Sequence, residues 1–328
     1  MKIGLFIGGA TYLDVVDGLA VSAEKLGYHS FWLGDHMFIP DPFYIAAGNN
    51  PKKGECPYLE AWTTLAAISK VTKKLRMGTL VTPLPMRNPG ILAKEVATVD
   101  FLSGGRVILG VGVGWHKREF EAYGIPYDNF QTRFEKTMES LEIIKRLWTE
   151  PFVTHKGKYY ELNSAPLWPK PVQKPHPPIW FGGVSKSIID AMVRYGDGWA
   201  PYCPSPAQFA ELNANVRKLL KSVGRESEKF EIGAVVLAHI GSSYDDARKF
   251  VEPIIKVRGS RSLDAESWEE AEKCSVFGGP DECIEKVEEY KKAGVQHLLF
   301  EMISPGVALE CTKRMGKKVL PYFKEGRK

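Results

Sequence analysis

The chain has 328 residues, 44% hydrophobic and 25% charged, with 44 Lys and Arg against 39 Asp and Glu for a net charge of +5. This is ordinary globular composition with enough apolar material for one large core, and no apolar run approaches the ~18 residues that a membrane helix needs. The basic excess is small and spread along the chain, which argues against a nucleic-acid partner.

In chain order, Lys2–Gly9 is a short apolar run that reads as a first strand, not a signal peptide. Asp14–Gly27 spaces Val15, Val16, Leu19, Ala23 and Leu26 as a helix does, with Gly27 as its stop. Strand two, Ser30–Leu33, runs into Gly34-Asp35-His36. A loop rich in Pro, Gly and Asn follows from Met37 to Tyr58, too long for routine punctuation. Leu59–Lys70 is a helix, Leu75–Thr82 is strand three, and Pro89 opens a helix reaching about Phe101. Strand four is Arg106–Gly112, followed by a polar turn and a long helix near Asn129–Thr149.

Phe152–Pro178 is basic, aromatic and carries six prolines, which predicts an excursion with a short hairpin around Gly157. Ile179–Gly182, Gly198–Tyr202 and Phe230–Ile240 are strands five to seven, with helices Ser187–Tyr195, Pro206–Val223 and Tyr244–Val257 after them. A variable stretch, Arg258–Cys274, leads to the helix Pro280–Ala293, strand eight Val295–Met302 and a closing helix Val307–Phe323. Eight strands alternating with helices imply parallel βαβ units closed into a (β/α)8 TIM barrel. The barrel is one domain over residues 1–328, with an insertion after strand 4 and an extended loop after strand 2. An open doubly wound sheet is the other arrangement, but it calls for fewer strands and a dinucleotide turn.

The cysteines, Cys56, Cys203, Cys274, Cys283 and Cys311, are odd in number and show no CxxC spacing. Reduced thiols in a cytoplasmic protein are expected, with neither a disulfide framework nor a zinc site. The histidines outside strand two are scattered without metal spacing, so no metal is expected.

Barrel chemistry concentrates where strands end. At the end of strand two, His36 can exchange a proton near neutrality and Asp35 can bias it or bind polar edges; a capped loop with an exposed histidine is the alternative. After strand three, Gly78-Thr79-Leu80-Val81-Thr82-Pro83 is either a tight turn or a close approach of backbone or ligand. Gly110, Gly112 and Gly114 are not a dinucleotide fingerprint, since Trp115 stands where GxGxxG needs glycine. They either let a loop turn sharply or open room for a flat ring, and Trp115 can stack on the ring or on substrate. Gly182-Gly183-Val184-Ser185 enters a helix start, where backbone N–H groups hold phosphate or Ser185 caps the helix.

With these strand ends assembled, the chain resembles the luciferase-like monooxygenase superfamily over nearly its whole length. The matching stretches are AEKLGYHSFWLGDH, the block from Leu75 to Gly124, PPIWFGGVSKSIIDAMVRYGDGWAPY and GGPDECIEKVEEYKKAGVQHLLFEM. The pattern from Asp100-x-x-Ser103-x-Gly105-Arg106 to Gly112-x-Gly114-Trp115-x-x-x-Glu119-Phe120 is the most specific part. The resemblance implies a barrel that binds FMN or the deazaflavin F420 at its strand ends, and Asp35-His36 is closest to the F420-dependent branch. It implies His36 and Asp35 at the reacting centre, and a non-proline cis peptide at Leu80-Val81, with Thr82 beside it, under the ring. Val113 and Gly114 match positions lining the ring; Gly182, Gly183 and Ser185 match positions near the cofactor tail.

Trp115 departs from the pattern, because the sugar-phosphate dehydrogenases of the family carry glutamate there. Their substrate is therefore not transferred to this chain. Arg118 likewise replaces a polar cofactor contact, and Lys273 stands near a basic position of relatives. The leading expectation is an F420-dependent oxidoreductase moving a hydride between C5 of the deazaflavin and a small organic substrate. The alternatives are an FMN-dependent two-component monooxygenase served by a separate flavin reductase, and a non-catalytic flavin-binding barrel. The expected partners are a small-molecule substrate and a second copy in a homodimer.

Overall fold

Strands that are apolar on both faces need cover on both, and a closed parallel sheet wrapped in helices provides it. In the computed structural model, which describes residues 1–8, 15–38, 58–226, 229–258, 268–302 and 307–323, eight such strands pair in parallel around a ring. They are β1 (Lys2–Ile7), β2 (Ser30–Leu33), β3 (Arg76–Thr79), β4 (Val107–Gly112), β5 (Ile179–Phe181), β6 (Gly198–Trp199), β7 (Glu231–Ile240) and β8 (His297–Met302). β8 returns to β1, with His297 opposite Lys2 and Glu301 opposite Phe6, and closes the barrel.

The helices pack outside. α1 (Val21–Leu26) continues a wider π turn, Val15–Ala20, and stops at Gly27, whose φ of 87° favours glycine. α2 (Ala61–Val71) and α3 (Pro89–Ser103) are capped by Glu60 and Asn88, each accepting two backbone N–H groups. α4 (Lys117–Ala122) and α5 (Phe130–Thr149) precede the insertion. α6 (Lys186–Tyr195), α7 (Pro206–Ser222), α8 (Tyr244–Arg258), α9 (Trp268–Lys273), α10 (Pro280–Lys292), α11 (Ala308–Lys318) and α12 (Leu320–Phe323) complete the shell.

The expected hairpin is present: Phe152–Lys156 pairs antiparallel with Glu161–Pro166. Four local expectations are corrected. Strand three is not continuous; it stops at Thr79 and resumes as Thr82–Pro83 against Val111 and Gly112. The polar turn after β4 contains α4. The closing helix is split before Pro321, which has no N–H to give to the preceding turn. A further parallel strand, Ser275–Gly278, lies along β7 from Leu237 to Ile240. Its cause is length: β6 pairs with β7 at Glu231 and Ile232 and the segment after it bridges β7 once more, Tyr202 to Val235, which leaves the edge of β7 beyond Val235 with ladder groups to satisfy. Most of the loop after β2 lies outside the described residues.

Side chains fill the barrel as layers, among them Phe6, Trp32, Ile108, Trp180, Val235 and Leu299. The Trp32 and Trp180 rings sit 4.9 Å apart. Gly78 serves this packing and not a ligand, since a Cβ there would lie 2.4 Å from the Ile108 carbonyl oxygen and 3.0 Å from the Trp32 ring.

Below the indoles runs a buried polar chain. Trp32 Nε1 donates to Ser30 Oγ at 2.7 Å, Ser30 Oγ meets His297 Nε2 at 2.7 Å, and His297 Nδ1 meets Glu231 at 3.2 Å. Lys2 closes it on Glu231 at 2.7 Å. Because the Glu231 carboxylate only accepts, the network places the ring proton of His297 on Nδ1, and Nε2 accepts from the Ser30 hydroxyl, whose oxygen accepts from Trp32. This Ser–His–Glu line sits at the N-terminal end of the barrel, where such networks stabilise and do not react.

The buried titratable groups make stability acid-sensitive. Burial lowers His29 to about 4 and His239 to about 4, so the unfolded chain takes up protons there that the folded chain refuses. Their contribution is complete above about pH 6.5 and is lost as pH falls toward 4. Burial opposes ionisation of Glu231, but the His297 hydrogen bond and Lys2 bring it down to about 2, so its contribution is lost below about pH 4.5. The thermal midpoint should therefore fall steadily from pH 7 to pH 3, and His239→Gln should flatten the fall between pH 6.5 and 4. A midpoint unchanged down to pH 4 in the parent chain would contradict this.

Candidate active site

The C-terminal ends of the strands meet over a cavity of about 390 Å³. β2 brings Asp35 and His36 to it, and the break after β3 brings Leu80 and Val81. From the end of β4 come Val113, Gly114 and Trp115, and from β5 Gly182 and Gly183. Of the residues singled out in the sequence, Thr82 and Ser185 do not line it, and neither do Gly78, Thr79, Gly110, Arg118, Val184 or Lys273. A larger groove of about 850 Å³ lies on the barrel flank between α3 and the hairpin and holds none of these residues. The smaller cavity is the candidate site, because the convergent polar groups stand there at strand ends.

His36 Nδ1 lies 2.9 Å from Glu119 Oε2. Glu119 is 1% exposed, and its other oxygen accepts the Met37 N–H. A carboxylate accepts only, so the network places the His36 proton on Nδ1. Nε2 then has no hydrogen-bond partner among the described residues, on a ring that lines the cavity. Tyr58 and Trp115 meet this ring edge to face, at 6.1 and 5.9 Å between centroids. Glu119 is delivered by α4, whose N-cap His116 accepts the Glu119 N–H through Nδ1 at 3.1 Å. Burial holds His116 below its ordinary value, which keeps Nδ1 an acceptor.

The carboxylate on His36 is thus Glu119, and Asp35 is engaged elsewhere. Arg87 grips Asp35 with two bonds, Nε to Oδ2 at 3.0 Å and Nη2 to Oδ1 at 2.7 Å. Burial pushes the Asp35 carboxyl up and the guanidinium opposes it. Burial would lower Arg87, but Asp35 and Glu60 more than offset this and raise it. Asp35 therefore ties the end of β2 to the turn before α3.

The Leu80-Val81 peptide is cis, at the position the resemblance implied. The Val81 side chain sits between two glycines: a Cβ on Gly112 would come 2.4 Å from Val81 Cγ2, and one on Gly182 2.9 Å from Cγ1. These glycines make room for Val81, and Val81 in turn lines the cavity. Thr82 points away from the cavity toward α2, its hydroxyl 3.0 Å from Thr79 Oγ1 and accepting from Trp62 Nε1 at 3.2 Å.

Gly183 has φ of 93° with nothing nearer than 3.8 Å to where a Cβ would be, so its backbone and not its space requires glycine. Ser185 occupies the N-cap of α6 but makes no side-chain cap bond. The first-turn N–H groups of α6 therefore keep their donor capacity beside the exposed segment 183–186.

Sequence reasoning missed Glu119, Arg87 and the pair of Tyr202 and Glu301, whose hydroxyl and Oε2 are 2.6 Å apart. Glu119 stood in the quoted pattern, an acid just beyond a glycine-rich strand end, and that was its only local signal.

A family model described as luciferase-like monooxygenase matches residues 2–297. An F420-dependent glucose-6-phosphate dehydrogenase of Amycolatopsis mediterranei (strain U-32) is 30% identical over 307 residues, 88% of this chain and 87% of the relative. An FMNH(2)-dependent dimethylsulfone monooxygenase of Pseudomonas putida is 27% identical over 293 residues, 81% of this chain and 79% of the relative. A solved F420-dependent secondary alcohol dehydrogenase, in complex with an F420-acetone adduct, superposes with a TM-score of 0.80 at 23% identity, covering 99% of both chains.

The seat of Val81 is directly testable. Gly112→Ala should destabilise the fold by about 1–3 kcal/mol through overpacking, and Val81→Ala in the same chain should restore most of that loss. Urea unfolding of the two single variants and the double variant measures the coupling. Simple additivity would show that Gly112 does not serve Val81.

Proposed function

The chain belongs to the luciferase-like monooxygenase family, and from that premise we propose that it is an F420-dependent oxidoreductase acting on a small organic substrate. The observation that carries the reading is His36 at the end of β2, its Nδ1 held by Glu119 and its ring on the cavity. The F420-dependent relative is the more similar of the two described above, and the family as a whole supports oxidoreductase chemistry.

The residues present suit a flat ring with an anionic tail. Val81, Val113 and Phe6 offer apolar contact in a cavity of ligand size. The open N–H groups at the start of α6 suit an anion, with Gly182, Gly183 and Ser185 in the approach. When bound, the deazaflavin supplies hydride transfer at C5.

The protein's own part is proton handling and exclusion of water. As a substrate alcohol gives up its hydride, His36 Nε2 takes the hydroxyl proton; in the reverse direction it returns the proton to a carbonyl oxygen. Glu119 fixes the ring and its tautomer. Met37 N–H holds Glu119 in place, and Asp35 with Arg87 anchors the segment that carries His36. Trp115, against the His36 ring, walls the same space.

Titrating the purified chain with F420 and with FMN tests the reading. F420 should bind, and His36→Ala should bind it with similar affinity while losing about 10²–10⁴-fold in turnover. Tight FMN binding without F420 binding, with oxygen uptake on adding reduced FMN, would instead establish a two-component monooxygenase. Turnover unchanged in His36→Ala would remove the histidine from the chemistry.

A further inference from the structure

Two cysteines far apart in the chain meet on the outer edge of β7. The segment after β6 holds that edge first: Tyr202 bridges Val235, and the Cys203 N–H donates to the Val235 carbonyl at 2.8 Å. The strand Ser275–Gly278 then takes the same edge over, with Ser275 opposite Leu237. One residue on from the first pairing and one back from the second, Cys203 and Cys274 both fall level with Val236. Both are free and buried, and they share one apolar cluster with Leu237, Trp268 and Phe277.

The backbone at this meeting point is unusual. Cys203 has a φ of 47°, in the left-handed region that few side chains accept. A residue kept there persists because its surroundings fix it, here through the bond to Val235. The two thiols are also chemically unequal. The hydrogen bond between them, helped by Ser275, lowers Cys274 against the burial that opposes it. Burial first, and then the Cys274 side chain, raises Cys203. Neutral Cys274 gives its proton to the Ala271 carbonyl, 3.3 Å away. Of the two, Cys274 is the one that reacts as a thiolate, and Cys203 keeps its proton.

We propose that Cys203 and Cys274 are a peroxide-responsive dithiol, which closes into a disulfide and ties the segment after β6 to the strand Ser275–Gly278. The Cys274 thiolate attacks one oxygen of hydrogen peroxide; the O–O bond breaks, Cys274 becomes a sulfenic acid, and hydroxide leaves and takes up the proton that Cys274 had released. The Cys203 sulfur then attacks the sulfenic sulfur. The S–S bond forms, the S–O bond breaks, and the Cys203 proton departs with the hydroxyl as water. Two thiols have lost two electrons and one peroxide has become two waters. Ala200 and Tyr202, in the tied segment, line the cavity, so the bond would fix one of its walls without touching His36. A dithiol reductant reverses the step, as suits a thiol pair that signals and does not hold the fold together.

Treating the whole chain with hydrogen peroxide, then digesting it without reductant for mass spectrometry, tests this. The peptides carrying Cys203 and Cys274 should appear joined, with the loss of two hydrogen atoms, and dithiothreitol should separate them. In Cys203→Ser, Cys274 should stop at the sulfenic acid and take up dimedone; in Cys274→Ser, Cys203 should remain a thiol. Amide exchange at Tyr202 and Cys203 should slow on oxidation and recover on reduction. No joined peptide at a peroxide dose that oxidises the chain's methionines would overturn the proposal, and that result needs only the parent chain. Dimedone on Cys203, a bond from either cysteine to a third, or a cross-link that leaves amide exchange at Tyr202 unchanged would overturn it as well.

Discussion

Parallel closure of the sheet is the constraint from which the rest follows. When β8 hydrogen-bonds back to β1, and β6 to β7, every strand runs the same way around the ring. All eight C-terminal ends then open on one rim, and residues as far apart as His36 and Glu301 line one cavity. No local propensity brings them together. The register of the closed ring does, and a register slip at either seam would turn side chains from the interior to the helices.

The two ends of the barrel handle buried charge differently. At the N-terminal end, Ser30, His297, Glu231 and Lys2 form a chain whose donors and acceptors answer one another. That arrangement offsets the desolvation of its members and leaves nothing to react. At the C-terminal end, Glu119 answers only one nitrogen of His36, and a lining of Val81 and the glycines beside it provides a surface without polar demand. A half-answered imidazole beside an apolar lining is costly for stability and useful for proton exchange.

Much of this was legible in the sequence. The eight strands, the insertion with its hairpin and the strand ends at Asp35-His36, Val113-Gly114 and Gly182-Gly183 follow from periodicity and glycine placement. The cis bond at Leu80-Val81 came from the family resemblance, since no local pattern marks it. What stayed hidden depends on contacts far apart in the chain. Glu119 reaches His36 across 83 residues and Arg87 reaches Asp35 across 52, so neither pairing leaves a local trace. Glu301 read as part of an apolar strand, and Ser275–Gly278 is a run of four residues whose reason lies in the length of β7. Gly112 was legible as a functional glycine but not for the right partner, because the need of Val81 for space appears only once strand three is seen to break.

A crystal structure of the chain grown with F420 tests the central claim most directly. The account predicts the deazaflavin ring resting on Val81 with His36 in contact, about 3–4 Å away, and the anionic tail at the start of α6. A ring seated in the flank groove beside α3, or one in the cavity that touches neither Val81 nor His36, would contradict it.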